Sequence, residues 1–350
     1  MNTQAIVIAT FGTSHEDTEE KTIIPIVKAV RRIFNEFDVR VAFTSHIIIR
    51  KLAKMGRKVP TPAETVAQLH EEGFSHVIVQ PLLFMNGHEY HEKVTKPLEP
   101  WHDRFEGFVI GAPLLTSDED IDMITDLITD LSQYYGGEKM VLMGHGTDHP
   151  ADRLYARIQA EIDARKVDAH IATVEGQVQL RHVFPRLEQA GASRIHLAPL
   201  MLTAGEHAKN DMAGPDPDSW KSILTSAGLT VIAHLRGLGE YFRLQRIVVD
   251  HIRASKRILF PDRYARMQAA AKRKRTGVPR KEIPWFPTIA EEKCSGCGFC
   301  YLYCPKHVYT YDHGRRVAVA TDPYACVINC SKCAGLCPSG AISFPDVPSL

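Results

Sequence analysis

Residues 6–17 read IVIATFGTSHED, and residues 141–152 read VLMGHGTDHPAD. Each segment opens with an unbroken apolar run, passes through a glycine–threonine pair and then turns polar. A run without polar alternation belongs to a strand covered on both faces, the setting of a parallel sheet between helices. Similar runs recur on either side: VRVAFTS, HVIVQPLL and GFVIGAPL in the first half, HIATVE, RIHLAPLM and LTVIAH in the second. Helix-length amphipathic stretches such as TPAETVAQLHEEG and DIDMITDLITDL lie between them. The alternation predicts an α/β fold with parallel sheets flanked by helices.

The halves also match each other in order. EEGFSHVIVQPLLFMNGHEY parallels QAGASRIHLAPLMLTAGEHA, and VAFTSH sits opposite TVEGQV. Two similar lobes are therefore expected, at about residues 1–135 and 136–253. The lobes differ where strands end: Phe11 stands opposite His145, Thr44 opposite Glu175, and Glu89 opposite His207. Ligand crevices of open α/β sheets form at such carboxyl ends. Two imidazoles and a carboxylate suit a borderline divalent ion such as cobalt, nickel, iron or zinc, and imidazole also accepts protons near neutral pH. Singly, each of these residues reads as an ordinary strand-end or helix-surface side chain. Arg50, Lys51, Arg181 and Lys209 lie near the same ends and read as surface charges.

The formal charge of +1 and the 44% hydrophobic, 24% charged composition point to a globular chain without general affinity for nucleic acid. No apolar run approaches the roughly 20 residues of a membrane helix, and MNTQAIVIATFGTS has no export-signal pattern, so a cytoplasmic protein is expected. There is no G-x-x-x-x-G-K-[ST] loop, no G-x-G-x-x-G after a first strand and no G-x-S-x-G elbow, which argues against nucleotide and esterase chemistry.

All 8 cysteines fall between Cys294 and Cys337. Such crowding marks a metal-bearing module on a cysteine-free body. The expected division is a two-lobed body over 1–253, a basic, proline-containing linker over 254–284 and a small α+β ferredoxin-like domain over 285–350. The linker's KRKR at 272–275 reads as a solvated segment. CSGCGFCYLYCP at 294–305 is the bacterial ferredoxin run; CVINCSKCAGLCP at 326–338 has three residues in its first gap instead of two. Four-cysteine zinc sites are the alternative. Two runs each ending in Cys-Pro favour two [4Fe–4S] clusters, with the fourth cysteine of each run serving the other cluster. One cluster would use Cys294, Cys297, Cys300 and Cys337; the other, Cys304, Cys326, Cys330 and Cys333.

FGTSHEDT, AFTSHIIIRKL, MGHGTDHPAD, VEGQV and GEHAKNDMAGPDPDSW together resemble the anaerobic sirohydrochlorin cobaltochelatases of the class II chelatase group, over residues 4 to about 253. The resemblance implies two lobes around a cleft and insertion of Co2+ into sirohydrochlorin, an eight-carboxylate tetrapyrrole on the anaerobic route to cobalamin. It implies that His145, Glu175 and His207 hold the ion, with Glu89 facing the cleft. It also implies small homo-oligomers. His145 and His207, freed as the ion leaves, would take pyrrole protons, with Glu89 a further acceptor. The tail is read as serving a redox step that adjoins insertion, with a redox partner. Fe2+ or Ni2+ insertion is the nearest alternative, because ligand type does not separate these ions. An electron-transfer protein whose body only binds a tetrapyrrole is the alternative of another class.

Overall fold

A computed structural model describes residues 3–189, 191–266 and 279–345; the KRKR segment lies outside these. In the first lobe, β1 (Gln4–Thr10), β2 (Asp38–Phe43), β3 (His76–Pro81) and β4 (Gly107–Ile110) form a parallel sheet in the order β2-β1-β3-β4. In the second, β5 (Lys139–Gly144), β6 (Ala169–Thr173), β7 (Arg194–Pro199) and β8 (Thr230–Ala233) repeat it as β6-β5-β7-β8. The equal order is the repeat seen in the sequence. The apolar run of β1 is fully covered, with Ala5, Ile6, Val7, Ile8 and Ala9 all 0% exposed. From β1 the chain adds β2 on one side and then β3 on the other, as β5 is flanked by β6 and β7, so a switch point lies at the carboxyl end of each of these central strands. The FGTS and GHGT segments occupy those ends.

The hydrogen bonds past the strands correct one equivalence. Thr44 N–H donates to the Thr10 carbonyl and Ser45 N–H to that of Phe11; Val174 N–H donates to Gly144 and Glu175 N–H to His145. Phe11 thus matches His145, but Glu175 matches Ser45 rather than Thr44. Reading the two loops side by side slipped by one residue, because only the backbone register fixes which residues are level.

The lobes exchange helices. Helix Asp118–Tyr134 packs against helix Arg153–Ala164 of the second lobe, whereas helix Phe242–Leu259 returns to cover β3 and β4. Ile6 and Ile8 of the first sheet therefore share one continuous core with Leu142 and Ile158 of the second lobe. The last helix also runs past residue 253 into the expected linker, where Ser255 is buried and Lys256 pairs with Glu36.

A buried ion pair ties the exchanged helices. His251 Nε2 lies 2.9 Å from Asp120 Oδ1, with side chains 13% and 7% exposed. Burial opposes both charges, yet their mutual hydrogen bond and attraction win: the His251 pKa is raised and that of Asp120 lowered. A raised histidine stabilises fully below its unfolded value, and this stabilisation fades as pH climbs through the folded value. A depressed aspartate stabilises above its unfolded value, and that is lost as pH falls through the folded one. The pair should thus support the fold most between the ordinary aspartate and histidine ranges. In His251→Asn, the Tm should change less with pH between pH 6 and 8 than in the parent; an unchanged slope in calorimetric scans would contradict this.

The tail is built from short antiparallel pairs, Tyr309–Asp312 with Val317–Ala320 and Thr288–Ile289 with Ile342–Ser343, and from helices Phe299–Tyr303 and Lys332–Leu336. It is the expected small α+β unit. Helix Phe299–Tyr303 packs on helices Glu16–Ile33 and Phe242–Leu259 of the body, and Leu302, 0% exposed, belongs to the body's core.

Candidate ion-transfer site and cluster sites

His145 follows β5 directly, on a turn that only glycine allows. Gly146 has φ of +80°, and a Cβ there would lie 2.2 Å from the Gly176 nitrogen. The GHGT and VEGQ loops are therefore in backbone contact. Buried Asp152 binds them together, one oxygen accepting from Thr147 N–H at 3.1 Å and the other from Gln177 N–H at 2.9 Å. Sequence reasoning missed Asp152; its place in the GHGTDHPAD motif gave the position but not the bond.

Two imidazoles meet at this end of the second sheet. The His145 and His207 ring centroids are 4.8 Å apart and nearly perpendicular, and His145 Nδ1 lies 3.8 Å from Glu175 Oε2. His145 Nδ1 is 2.9 Å from the Gly146 carbonyl, which can only accept, so Nδ1 carries the proton. His207 Nδ1 is 2.5 Å from Asp211 Oδ2 and donates in the same way. Both Nε2 atoms are thereby left as lone-pair donors, the state a metal ligand needs. Asp211, one helical turn beyond His207, is the second residue sequence reasoning missed; its i,i+4 spacing in GEHAKND was the available signal.

The arrangement is open. His145, His207 and Glu175 are 46%, 36% and 61% exposed. Among the described residues, no three His, Cys, Asp or Glu side chains stand close enough together to hold a metal ion, so the structure brings the two imidazoles together but not Glu175 with them as a closed ligand set. Exposed Glu175 is free to swing toward the imidazoles, and an open, three-donor set of nitrogen and oxygen suits an ion that must leave again. Because carboxylate partners of ligating histidines typically carry 10–100-fold in metal affinity, Asp211→Asn should weaken Co2+ binding by about that factor, measured by equilibrium titration. Unchanged affinity would remove the orienting role.

Glu89 lies on the first lobe, where buried Thr44 donates its hydroxyl to Oε1 at 2.6 Å. The equivalence with His207 is kept in the backbone: Gly87 and Gly205 each precede a short helical turn that widens into a π-helix, His91–Thr95 and Ala208–Met212. Such π-turns concentrate at functional sites. Across the lobes, His15 Nε2 meets Glu206 Oε2 at 2.9 Å and Lys209 Nζ meets Asp17 at 2.9 and 3.1 Å. Lys209 is thus paired with a carboxylate of its own chain. His149 Nδ1 accepts from Ala151 N–H and caps the short turn Pro150–Asp152, an ordinary structural role.

In the tail, Cys294, Cys297, Cys300 and Cys337 line one small pocket with Ile289, Ala318, Ala341 and Ile342. Cys326 has Cys304, Cys330 and Cys333 as electrostatic neighbours. Burial, with the neighbouring thiols adding, pushes both Cys300 and Cys326 up to about 12. All the cysteines are free thiols. Two sets of four sulfur donors, the first in an apolar pocket, fit iron–sulfur clusters.

Known proteins share these features. The Cobalt chelatase (CbiK) family model matches residues 4–257, and the 4Fe-4S dicluster domain model matches residues 293–341. Sirohydrochlorin cobaltochelatase of Salmonella typhimurium is 35% identical over 251 residues, covering 71% of this chain and 95% of that one. Sirohydrochlorin cobaltochelatase CbiKC of Nitratidesulfovibrio vulgaris is 36% identical over 263 residues, covering 73% and 91%. An uncharacterized ferredoxin of Methanocaldococcus jannaschii is 39% identical over 71 residues, covering 20% and 47%. Among solved structures, SirB from Bacillus subtilis with Fe3+ has a TM-score of 0.51 at 14% identity, covering 72% of this chain and 95% of that one, a likeness of fold.

Proposed function

The chain belongs to the cobalt chelatase (CbiK) family, and from that premise we propose that it is a sirohydrochlorin cobaltochelatase that inserts Co2+ into sirohydrochlorin. The observation that carries the reading is the pair of imidazoles whose Nδ1 protons are tied down at Gly146 and Asp211, leaving both Nε2 atoms to bind. His145 and His207 hold a partly dehydrated ion, and Glu175 completes the set and offsets its charge. Insertion exchanges these donors for four ring nitrogens and releases two pyrrole protons. The vacated imidazoles accept them, with Glu89, held by Thr44, as a further acceptor. Free sirohydrochlorin and Co2+ thus become the cobalt complex and two protons, with no electron transferred.

No described helix is long and apolar enough to cross a membrane. Cysteines left unpaired for iron–sulfur ligation belong in a reducing compartment, which supports the cytoplasm as the place of action. We divide the chain into a two-lobed body, a connecting segment and a tail beginning near residue 285. Cys294, Cys297, Cys300 and Cys337 would hold one [4Fe–4S] cluster and Cys304, Cys326, Cys330 and Cys333 the other, giving the tail a redox role toward a partner. When bound, such clusters supply one-electron transfer.

Mixing the anaerobic protein with sirohydrochlorin and Co2+, Fe2+ or Ni2+ in turn, and following the tetrapyrrole absorbance, tests the reading. Fastest insertion with Co2+ is expected. No insertion of any ion would leave only a tetrapyrrole-binding electron carrier; faster Fe2+ or Ni2+ insertion would reassign the metal.

A further inference from the structure

One face of helix Phe242–Leu259 carries Arg246, Asp250 and Arg253, spaced to lie in a row, and the tail covers that face. Arg246 is 2% exposed. Its Nε donates to Asp250 Oδ2 at 2.6 Å, its Nη2 to the Cys304 carbonyl at 2.6 Å, and its Nη1 to the Tyr301 carbonyl. Arg253 donates Nη1 to the other Asp250 oxygen at 2.6 Å and Nη2 to the carbonyls of Leu302, at 3.4 Å, and Tyr303. These are the carbonyls that end helix Phe299–Tyr303, which have no partner within the helix. Arg280 closes the other side, donating Nε and Nη2 to the Cys326 carbonyl at 3.1 and 2.9 Å. Three guanidiniums, offset by one carboxylate, thus bear on the backbone around Cys304 and Cys326.

The set of Cys294, Cys297, Cys300 and Cys337 has different surroundings. Its pocket is lined by Ile289, Ala318, Ala341, Ile342 and two serines. Arg32 reaches the neighbouring Leu336 carbonyl at 3.0 Å, but from an exposed position where water and salt screen it. Hydrogen bonds to sulfur do not separate the sets: Tyr309 Oη donates to Cys333 Sγ at 3.0 Å, and Ala341 N–H to Cys337 Sγ at 3.3 Å. Charge is what differs.

We propose that the Arg246–Asp250–Arg253 row of the body, with Arg280, holds the two clusters at different potentials and makes the one bounded by Cys304 the easier to reduce. The proposal rests on the cysteine assignment given above. Reduction adds one negative charge to a cluster, and a desolvated cation beside it stabilises that state more than the oxidised one. The body is thereby an electrostatic partner of its own tail. The row has a net charge of one positive unit, so its two kinds of member should act with opposite signs.

The test uses the full chain, anaerobically reconstituted, with iron counted and each cluster followed by EPR-monitored redox titration. Two resolved potentials are expected. Arg253→Gln should lower the higher one, by about tenfold in the reduction equilibrium, or about 59 mV for a one-electron couple. Asp250→Asn should raise it, Arg253→Lys should restore it, and the lower potential should stay in place. Shifts of the same sign in the Gln and Asn variants, equal movement of both clusters or no movement would overturn the proposal. Iron well below about eight per chain would instead overturn the cluster assignment.

Discussion

Alanine at His145 is expected to slow cobalt insertion by at least about 100-fold, because in the proposed mechanism one side chain serves as both ion ligand and proton acceptor. The ring is 46% exposed, and its Nδ1 hydrogen bond goes to the neighbouring Gly146 carbonyl. Removing it should therefore alter stability by less than about 0.5 kcal/mol, as surface substitutions do. Loss of rate without loss of Tm separates a ligand from a structural histidine. His207→Ala should behave alike, and the double variant should lose little more, since residues that act as a unit are not additive. Full insertion by His145→Ala, in the stopped-flow absorbance of sirohydrochlorin, would remove the assignment.

Serine at Cys300 is expected to halve the iron content of the reconstituted chain, from about eight atoms to about four. Cys300 is 8% exposed, lines the pocket shared with Cys294, Cys297 and Cys337, and lies in the helix that inserts Leu302 into the body. Cluster ligation and folding are coupled in such small modules, so this substitution should also loosen the helix from the body and raise its proteolytic sensitivity. Insertion by the two-lobed body needs no electron and should persist. Iron measurement by colorimetry beside the insertion assay checks both halves; full iron content would contradict the ligand set.

The strands were legible because parallel strands buried on both faces leave unbroken apolar runs, as in IVIAT and VLMG. His145, Glu175 and His207 were singled out as candidates by asking where the repeated lobes differ, a comparison that slipped by one residue at Glu175 because it lacked the backbone register. The helix exchange was not legible: amphipathic patterns say that helices Asp118–Tyr134 and Phe242–Leu259 bury a face, not which sheet receives it. The role of Arg246, Asp250 and Arg253 was equally hidden, since a charged stripe on a helix ordinarily faces solvent and only the fold brings the tail over it. Asp152 and Asp211 escaped notice because an isolated aspartate carries no period. Their roles arise only once the GHGT, VEGQ and GEHA segments are folded together.

The most direct test is X-ray absorption on the protein loaded with one equivalent of Co2+ in the absence of tetrapyrrole. Two imidazole nitrogens and a carboxylate oxygen around the ion are predicted, with the imidazole scattering lost in the His145→Ala/His207→Ala double variant. An unchanged spectrum in that variant, or a sulfur-dominated shell, would place the ion elsewhere and contradict the account.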